Sequence, residues 1–103
     1  MRFVRPTSLT GESFILDVRT AEEYAVEKIG LPHMHKDIKE LDPLEFIREN
    51  NICQTQTINI LCHSGGRASQ AAEMFEKAGF DNVAVIIGGL VEAEYEGIRI
   101  VQN

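Results

Sequence analysis

The sequence predicts an α/β domain built on a mainly parallel sheet. Three observations carry that reading. Apolar runs of strand length stand at residues 14–18, 57–61 and 83–87. The segments between them carry helix-start signals and helical spacing of apolar residues, so strands alternate with helices. The last run, Val83-Ala84-Val85-Ile86-Ile87, is apolar without alternation, as a strand covered on both faces requires.

Phe14-Ile15-Leu16-Asp17-Val18 reads as the first buried strand. Thr20-Ala21-Glu22-Glu23 follows as a capping box, a hydroxyl with a carboxylate three residues on, and its helix should run to about Glu27. Residues 29–37 hold Gly30 and Pro32 and read as a loop. Asp42-Pro43-Leu44-Glu45 is a second helix start, with Asp as cap and Pro at the first helical position; the helix should end at Asn50-Asn51. Thr57 to Leu61 is the second strand. From Ala68 to Ala78 the residues Ala68, Ala71, Ala72, Phe75 and Ala78 share one helical face, and Gly79 supplies the stop. Gly88-Gly89 breaks the third strand, and Leu90 to Glu96 reads as a last short helix. Residues 1–13 leave little room for a helix ahead of the first strand. There are no repeats, low-complexity tracts or linkers, so residues 1–103 read as a single domain.

The composition is that of a globular domain able to form one core, at 44% hydrophobic and 25% charged residues. A net charge of −6 argues against a nucleic-acid surface. No apolar run approaches the ~20 residues of a membrane span, so no membrane contact is expected within this chain. The start, Met1-Arg2-Phe3-Val4-Arg5-Pro6, lacks a signal-peptide pattern. Cys53 and Cys62 lie outside any metal-type Cys-x-x-Cys pair. Free thiols in a reducing cytoplasm are the expectation, with a Cys53–Cys62 disulfide as the alternative.

The chemistry concentrates in Ile58-Asn59-Ile60-Leu61-Cys62-His63-Ser64-Gly65-Gly66-Arg67-Ala68-Ser69. A strand ends in a cysteine, a glycine-containing loop follows, and an arginine opens a helix. Such a loop aims backbone N–H groups at one spot, and the helix end adds roughly half a positive charge there. Those surroundings favour the thiolate, the nucleophilic form of cysteine. An acidic protein that handles an anion must create positive potential locally, and this loop would do so. In open α/β sheets ligands sit outside the carboxyl ends of the strands. Asp17, Cys62 and Gly88 all stand at such ends and should converge.

Leu16-Asp17-Val18-Arg19 with Glu22-Glu23-Tyr24, then Cys62-x-x-Gly65-x-Arg67-Ala68-Ser69, Ala78-Gly79-Phe80-x-Asn82-Val83 and Gly88-Gly89-Leu90, resembles the rhodanese family over about residues 14–100. The resemblance implies a three-layer α/β/α rhodanese-like domain that acts as a sulfurtransferase. Sulfane sulfur from thiosulfate, polysulfide or a low-molecular-weight persulfide would load onto Cys62 as a persulfide and pass to a thiol or cyanide. His63, Ser64, Gly65, Gly66 and Arg67 would bind the small anionic donor, with no cofactor and no metal. A non-turnover sulfur carrier or sensing module on the same fold is the alternative, and a phosphatase the third. The related phosphatases carry one residue more between cysteine and arginine than the four found here, a wider cradle for a tetrahedral phosphate. Domains of this type also occur fused to redox or membrane segments.

The chain departs from the family pattern in three places. His63 stands where thiosulfate-using members often carry Arg or Lys, which weakens thiosulfate as donor. Ala93 stands where many have Trp, which should alter packing under the loop. Lys28 and Gly30-Leu31-Pro32 replace a His and a Pro-Gly-Ala, so the loop from Ile29 to His35 should have its own conformation.

Other residues carry competing readings. Cys53 reads as a packing or loop residue, with a role in resolving the Cys62 persulfide as the alternative. Gly65 and Gly66 should allow positive φ and close approach to an anion. Arg67 would bind the donor or bond to carbonyls of the loop. His63 and Ser64 should line the rim. Asp17 is expected to accept bonds from loop N–H groups, and Arg19 to pair with Glu22 or Glu23. His33-x-His35 is a weak metal signal, because zinc sites want further ligands at set spacing.

Overall fold

In a computed structural model that describes residues 1–103, the period-two pattern of the central strands decides the layers. Strand β2 (Phe14–Asp17) and strand β5 (Ile58–Leu61) pair in parallel, Phe14 opposite Ile58 and Asp17 opposite Leu61. Leu16, Val18, Ile58, Ile60 and Cys62 fall on one face of the sheet, and Ile15 and Leu61 on the other. Strand β6 (Val83–Ile86) lies parallel beside β5 and is buried along its whole length. The sheet has the order β1-β6-β5-β2-β4 and is parallel throughout, with β1 (Arg2–Val4) and β4 (Met34–His35) at its edges.

Helix α3 (Gly66–Lys77) covers one face through Ala68, Ala71, Ala72 and Phe75, all fully buried. Small alanines let its backbone approach β5 and β6 closely, and Phe75 fills the remaining volume. Its ring meets Phe46 at 6.0 Å and Phe80 at 6.3 Å, both edge-on. Truncating a buried Phe of this kind costs about 3–5 kcal/mol. Helix α2 (Pro43–Glu49), capped by the Asp42 side chain on the Glu45 amide, brings Phe46 to the same core. Past Lys77 the chain turns at Gly79, and the Phe80 amide reaches back to the Phe75 carbonyl at 2.9 Å.

The opposite face holds Leu9, Ile15, Ile29, Leu61, Ile86 and Leu90. Helix α1 (Ala21–Val26), helix α4 (Gly89–Tyr95) and a two-stranded antiparallel ribbon of β3 (Glu27–Ile29) and β7 (Ile100–Gln102) lie on this side. The expected α/β/α layering and parallel sheet are therefore present. Four strands fall outside the sequence expectation. β1 lies in the segment judged too short for a helix. β3 closes the end of the expected first helix, β4 lies within the expected loop, and β7 follows the last helix. No helix is long and apolar enough to cross a membrane.

Candidate functional site

Cys62 is the first residue past β5, and strand alternation turns its side chain onto the α3 face with Ile58 and Ile60. It is 1% exposed. Gly65 caps α3 with φ of +115°, a conformation that a side chain would strain. That turn aims the Gly65 amide at Cys62, and the N–H donates to Sγ at 2.9 Å. The amides of Gly66, Arg67 and Ala68, the first turn of α3, have no backbone acceptor and form the positive end of the helix. Gly66, expected to share the special conformation, is instead an ordinary helical residue with open space around its Cα.

The loop is held from behind by α4. The amides of Leu90 and Val91 donate to the carbonyls of Cys62 and His63 at 2.8 and 3.2 Å. Two loop carbonyls thus point away from the thiol while the amides of Gly65 and the α3 turn remain available to it. A Cβ on Gly89 would overlap both carbonyls, and its φ of +61° excludes most side chains as well. The sequence marked Gly88-Gly89 as a strand break. Its role as the back wall of the loop was legible only through the position of the pair after β6, beside β5.

Arg67 bonds not to the loop carbonyls but to Glu23. Its Nη1 and Nη2 donate to Glu23 Oε1 and Oε2 at 2.6 and 2.9 Å. Glu23 is also the third residue of the α1 capping box, where Oε1 accepts from the Thr20 amide and hydroxyl. The Arg67 bonds foremost, helped by Thr20 and opposed by burial, hold the Glu23 carboxyl down at about 2. Glu23 in turn raises Arg67 above its ordinary range, with smaller contributions from the charges of Cys62 and Asp17. One ion pair therefore ties the start of α3 to the start of α1.

Asp17 accepts a backbone N–H just past its strand, as expected, whereas Arg19 departs from expectation. Arg19 pairs with Asp17, its Nη2 and Nε donating to Oδ2 at 2.8 and 3.0 Å, rather than with Glu22 or Glu23. Asp17 accepts one backbone N–H, that of Arg19, at 2.9 Å. Both residues are buried, Asp17 completely and Arg19 to 1% exposure. Arg19 also donates to the Glu27 carbonyl at 2.8 Å, and His35 Nε2 bonds to the Arg19 carbonyl at 2.8 Å. Tyr24 stacks on His35 at 4.1 Å and bonds through its hydroxyl to His33 Nε2 at 2.7 Å. Both histidines thus serve a network behind the ion pair, and this network gives the loop from Ile29 to His35 its shape. No three His, Cys, Asp or Glu side chains group as metal ligands.

His63 and Ser64 are exposed at the rim, as expected. Two small cavities meet at His63. One, of about 210 Å³, is lined by Arg19, Glu23, Val26, Glu27 and His63. The other, of about 80 Å³, is lined by Glu27, His63, Leu90, Val91 and Glu94. Ala93 is fully buried on α4. Cys53 is exposed in the turn before β5, bonded to the Thr55 hydroxyl at 3.1 Å, and those hydrogen bonds lower its pKa. It lies at the amino end of β5 and Cys62 at the carboxyl end. Four strand residues span ~13 Å, twice the Cα separation a disulfide allows. Both cysteines are free, and a direct hand-over of sulfur between them within one chain is out of reach.

Asp17, Cys62 and Gly88 do converge, because β2, β5 and β6 are neighbours and run the same way. The family model of the rhodanese-like domain matches residues 7–95. The chain belongs to the rhodanese-like domain family. Its solved relatives agree on the fold. The rhodanese-like domain of an Anabaena protein superposes with a TM-score of 0.81 at 21% identity, covering 100% of this chain and 80% of that one. Among curated relatives, the Bacillus subtilis "Putative sulfur carrier protein YrkF" is 38% identical over 77 residues, 74% of this chain and 38% of that protein. The Arabidopsis thaliana "Thiosulfate sulfurtransferase 16, chloroplastic" is 37% identical over 82 residues, 72% of this chain and 68% of that protein. The match thus spans well under half of the Bacillus relative.

Proposed function

We propose that this rhodanese-like domain transfers sulfane sulfur through a persulfide on Cys62. The observation that supports this reading most is the Gly65 amide on Cys62 Sγ at 2.9 Å, in a loop whose carbonyls are drawn back by α4. The Cys62 thiolate attacks the outer sulfur of a donor R–S–SH. A bond forms between Sγ and that sulfur, the donor S–S bond breaks, and its electron pair leaves on R–S⁻, giving Cys62–S–SH. With thiosulfate the leaving group is sulfite and the product is Cys62–S–S⁻. The amides of Gly65 to Arg67 stabilise the negative charge on the terminal sulfur, as oxyanion-hole donors do. A thiol or cyanide then attacks the same sulfur and regenerates the Cys62 thiolate, a two-step exchange through a covalent intermediate.

Gly65 sets the loop, Arg67 anchors it through Glu23, and His63 and Ser64 form its rim. No metal or organic cofactor enters these steps. Residues 1–103 act as one domain in the cytoplasm. A second reading, a carrier that holds sulfur without turning over free donors, is favoured by the pairing of Arg67 with Glu23. That pairing leaves the donor no unpaired arginine at the loop.

Intact mass after incubation with thiosulfate, polysulfide or glutathione persulfide tests both readings. Sulfur transfer requires a gain of about 32 Da on Cys62 that cyanide reverses. The gain should be absent in Cys62→Ser and present in Cys53→Ser. Loading with catalytic release to a thiol supports the enzyme; stoichiometric loading without multiple turnover supports the carrier. A gain that depends on Cys53 would overturn both.

A further inference from the structure

The charges around His63 identify what delivers the sulfur, given the transfer reaction at Cys62. Both arginines beside the loop are already paired, Arg67 with Glu23 and Arg19 with Asp17. The Lys28 ammonium lies over the Tyr24 ring at 5.3 Å. Two carboxylates remain in the cavities that meet at His63, those of Glu27 and Glu94. Neither takes part in an ion pair. The Glu27 carboxylate accepts only from the neutral Gln102 side-chain amide, at 3.0 Å. The mouth beside the cysteine loop is therefore negative, in a chain of net charge −6. It is also flanked by apolar side chains open to solvent, Val26 at 62% and Val91 at 51% exposure.

We infer that Glu27 and Glu94, with Val26 and Val91, form a docking face for a basic polypeptide segment that presents its sulfur on a cysteine, and that they turn away small dianionic donors. A dianion meets two uncompensated carboxylates and makes no use of the valines. A segment with Lys or Arg beside its cysteine pairs with Glu27 and Glu94, and its backbone and side chains cover the two valines. The delivered group is a cysteine persulfide. Its S–S bond breaks as the outer sulfur bonds to Cys62 Sγ, and the electron pair returns to the partner's cysteine as a thiolate, so no external oxidant or reductant is needed.

The test uses the full chain with Cys53→Ser, so that one thiol reports, against the same chain with Glu27→Gln and Glu94→Gln. The first measurement involves no sulfur transfer: the rate of Cys62 alkylation by anionic iodoacetate relative to neutral iodoacetamide. Removing the two carboxylates should raise that ratio about three- to tenfold at low salt and leave it nearly unchanged at high salt. The second measures sulfur loading from synthetic peptide persulfides flanked by Lys and Arg or by Asp and Glu, beside thiosulfate. The basic peptide should load faster than the acidic one and than thiosulfate, and the double substitution should erase most of the difference.

An unchanged iodoacetate ratio, or equal loading from basic and acidic peptides, would overturn the inference. Charge discrimination in alkylation without loading from any donor would instead overturn sulfur transfer at Cys62, and with it the basic cysteine persulfide as the occupant.

Discussion

The peptide N–H of Leu90 donates to the carbonyl of Cys62 at 2.8 Å, so the turn after β6 sets the orientation of the peptide that follows the candidate nucleophile. With that carbonyl turned back toward α4, the loop can offer its N–H side to the thiol. The cysteine loop and the Gly88-Gly89 turn are thus one unit, although 25 residues, with helix α3 and strand β6 among them, lie between Cys62 and Gly88.

Gly89→Ala should disrupt this unit. Its methyl would enter the space of the Cys62 and His63 carbonyls, and its φ of +61° is unfavourable for alanine. The expected loss is about 1–3 kcal/mol in denaturant unfolding, with slower sulfur loading of Cys62. Gly66→Ala is the matched comparison. That position is helical and open, so the change should be neutral or stabilise by up to ~1 kcal/mol. Equal losses in the two variants would contradict the assignment of the back wall.

The Glu23–Arg67 pair should appear in acid unfolding. The Glu23 carboxyl is lowered from 4.5 to about 2 in the folded chain. A depressed carboxyl stabilises the fold fully above its unfolded value, and the contribution is lost as pH falls from about 4.5 through 2. Both side chains are about one-third exposed, so solvent screening reduces the effect to ~1 kcal/mol. Glu23→Gln should be less stable than the native chain at neutral pH by that amount, and the gap should close toward pH 2. A gap independent of pH would assign the loss to the α1 cap alone.

Asp17 and Arg19 should behave as a coupled buried pair. Asp17→Leu alone leaves a buried guanidinium without its partner, a change that typically costs about 3–5 kcal/mol. Asp17→Leu with Arg19→Met removes both charges and should be less destabilised than Asp17→Leu. Simple additivity in the double-mutant cycle would show that the pair is not energetically linked.

Loop size should separate sulfur from phosphate chemistry. Aryl phosphates should not be hydrolysed by the native chain. One glycine inserted between Gly66 and Arg67 moves Arg67 by one helical position and withdraws it from Glu23. Sulfur loading should then fall by about a hundredfold, the scale on which ångström-level misplacement acts. Unchanged loading would show that the Arg67 anchor is dispensable.

Much of this was legible in the sequence because it is local. Short apolar runs marked β2, β5 and β6, the Thr20-to-Glu23 spacing marked the start of α1, and alanine spacing marked the buried face of α3. Cys62 stood out because a strand end, a glycine turn and a helix start follow one another within six residues. Strands β1, β3, β4 and β7 were not legible. They are two or three residues long, and their strand character comes from the partner they lie against rather than from their own pattern.

The sequence by itself determined the alternation of strands and helices, the cysteine at the mouth of a strand, and the convergence of three strand ends. Only the tertiary structure decided the partners of the charges. Glu23 satisfies its own helix cap and also takes Arg67 from 44 residues away, while Arg19 turns back to Asp17. Those choices follow from how α1 and α3 are set against the ends of one sheet, a distance no local pattern encodes. They also leave Glu27 and Glu94, which line the cavities at His63, outside any ion pair.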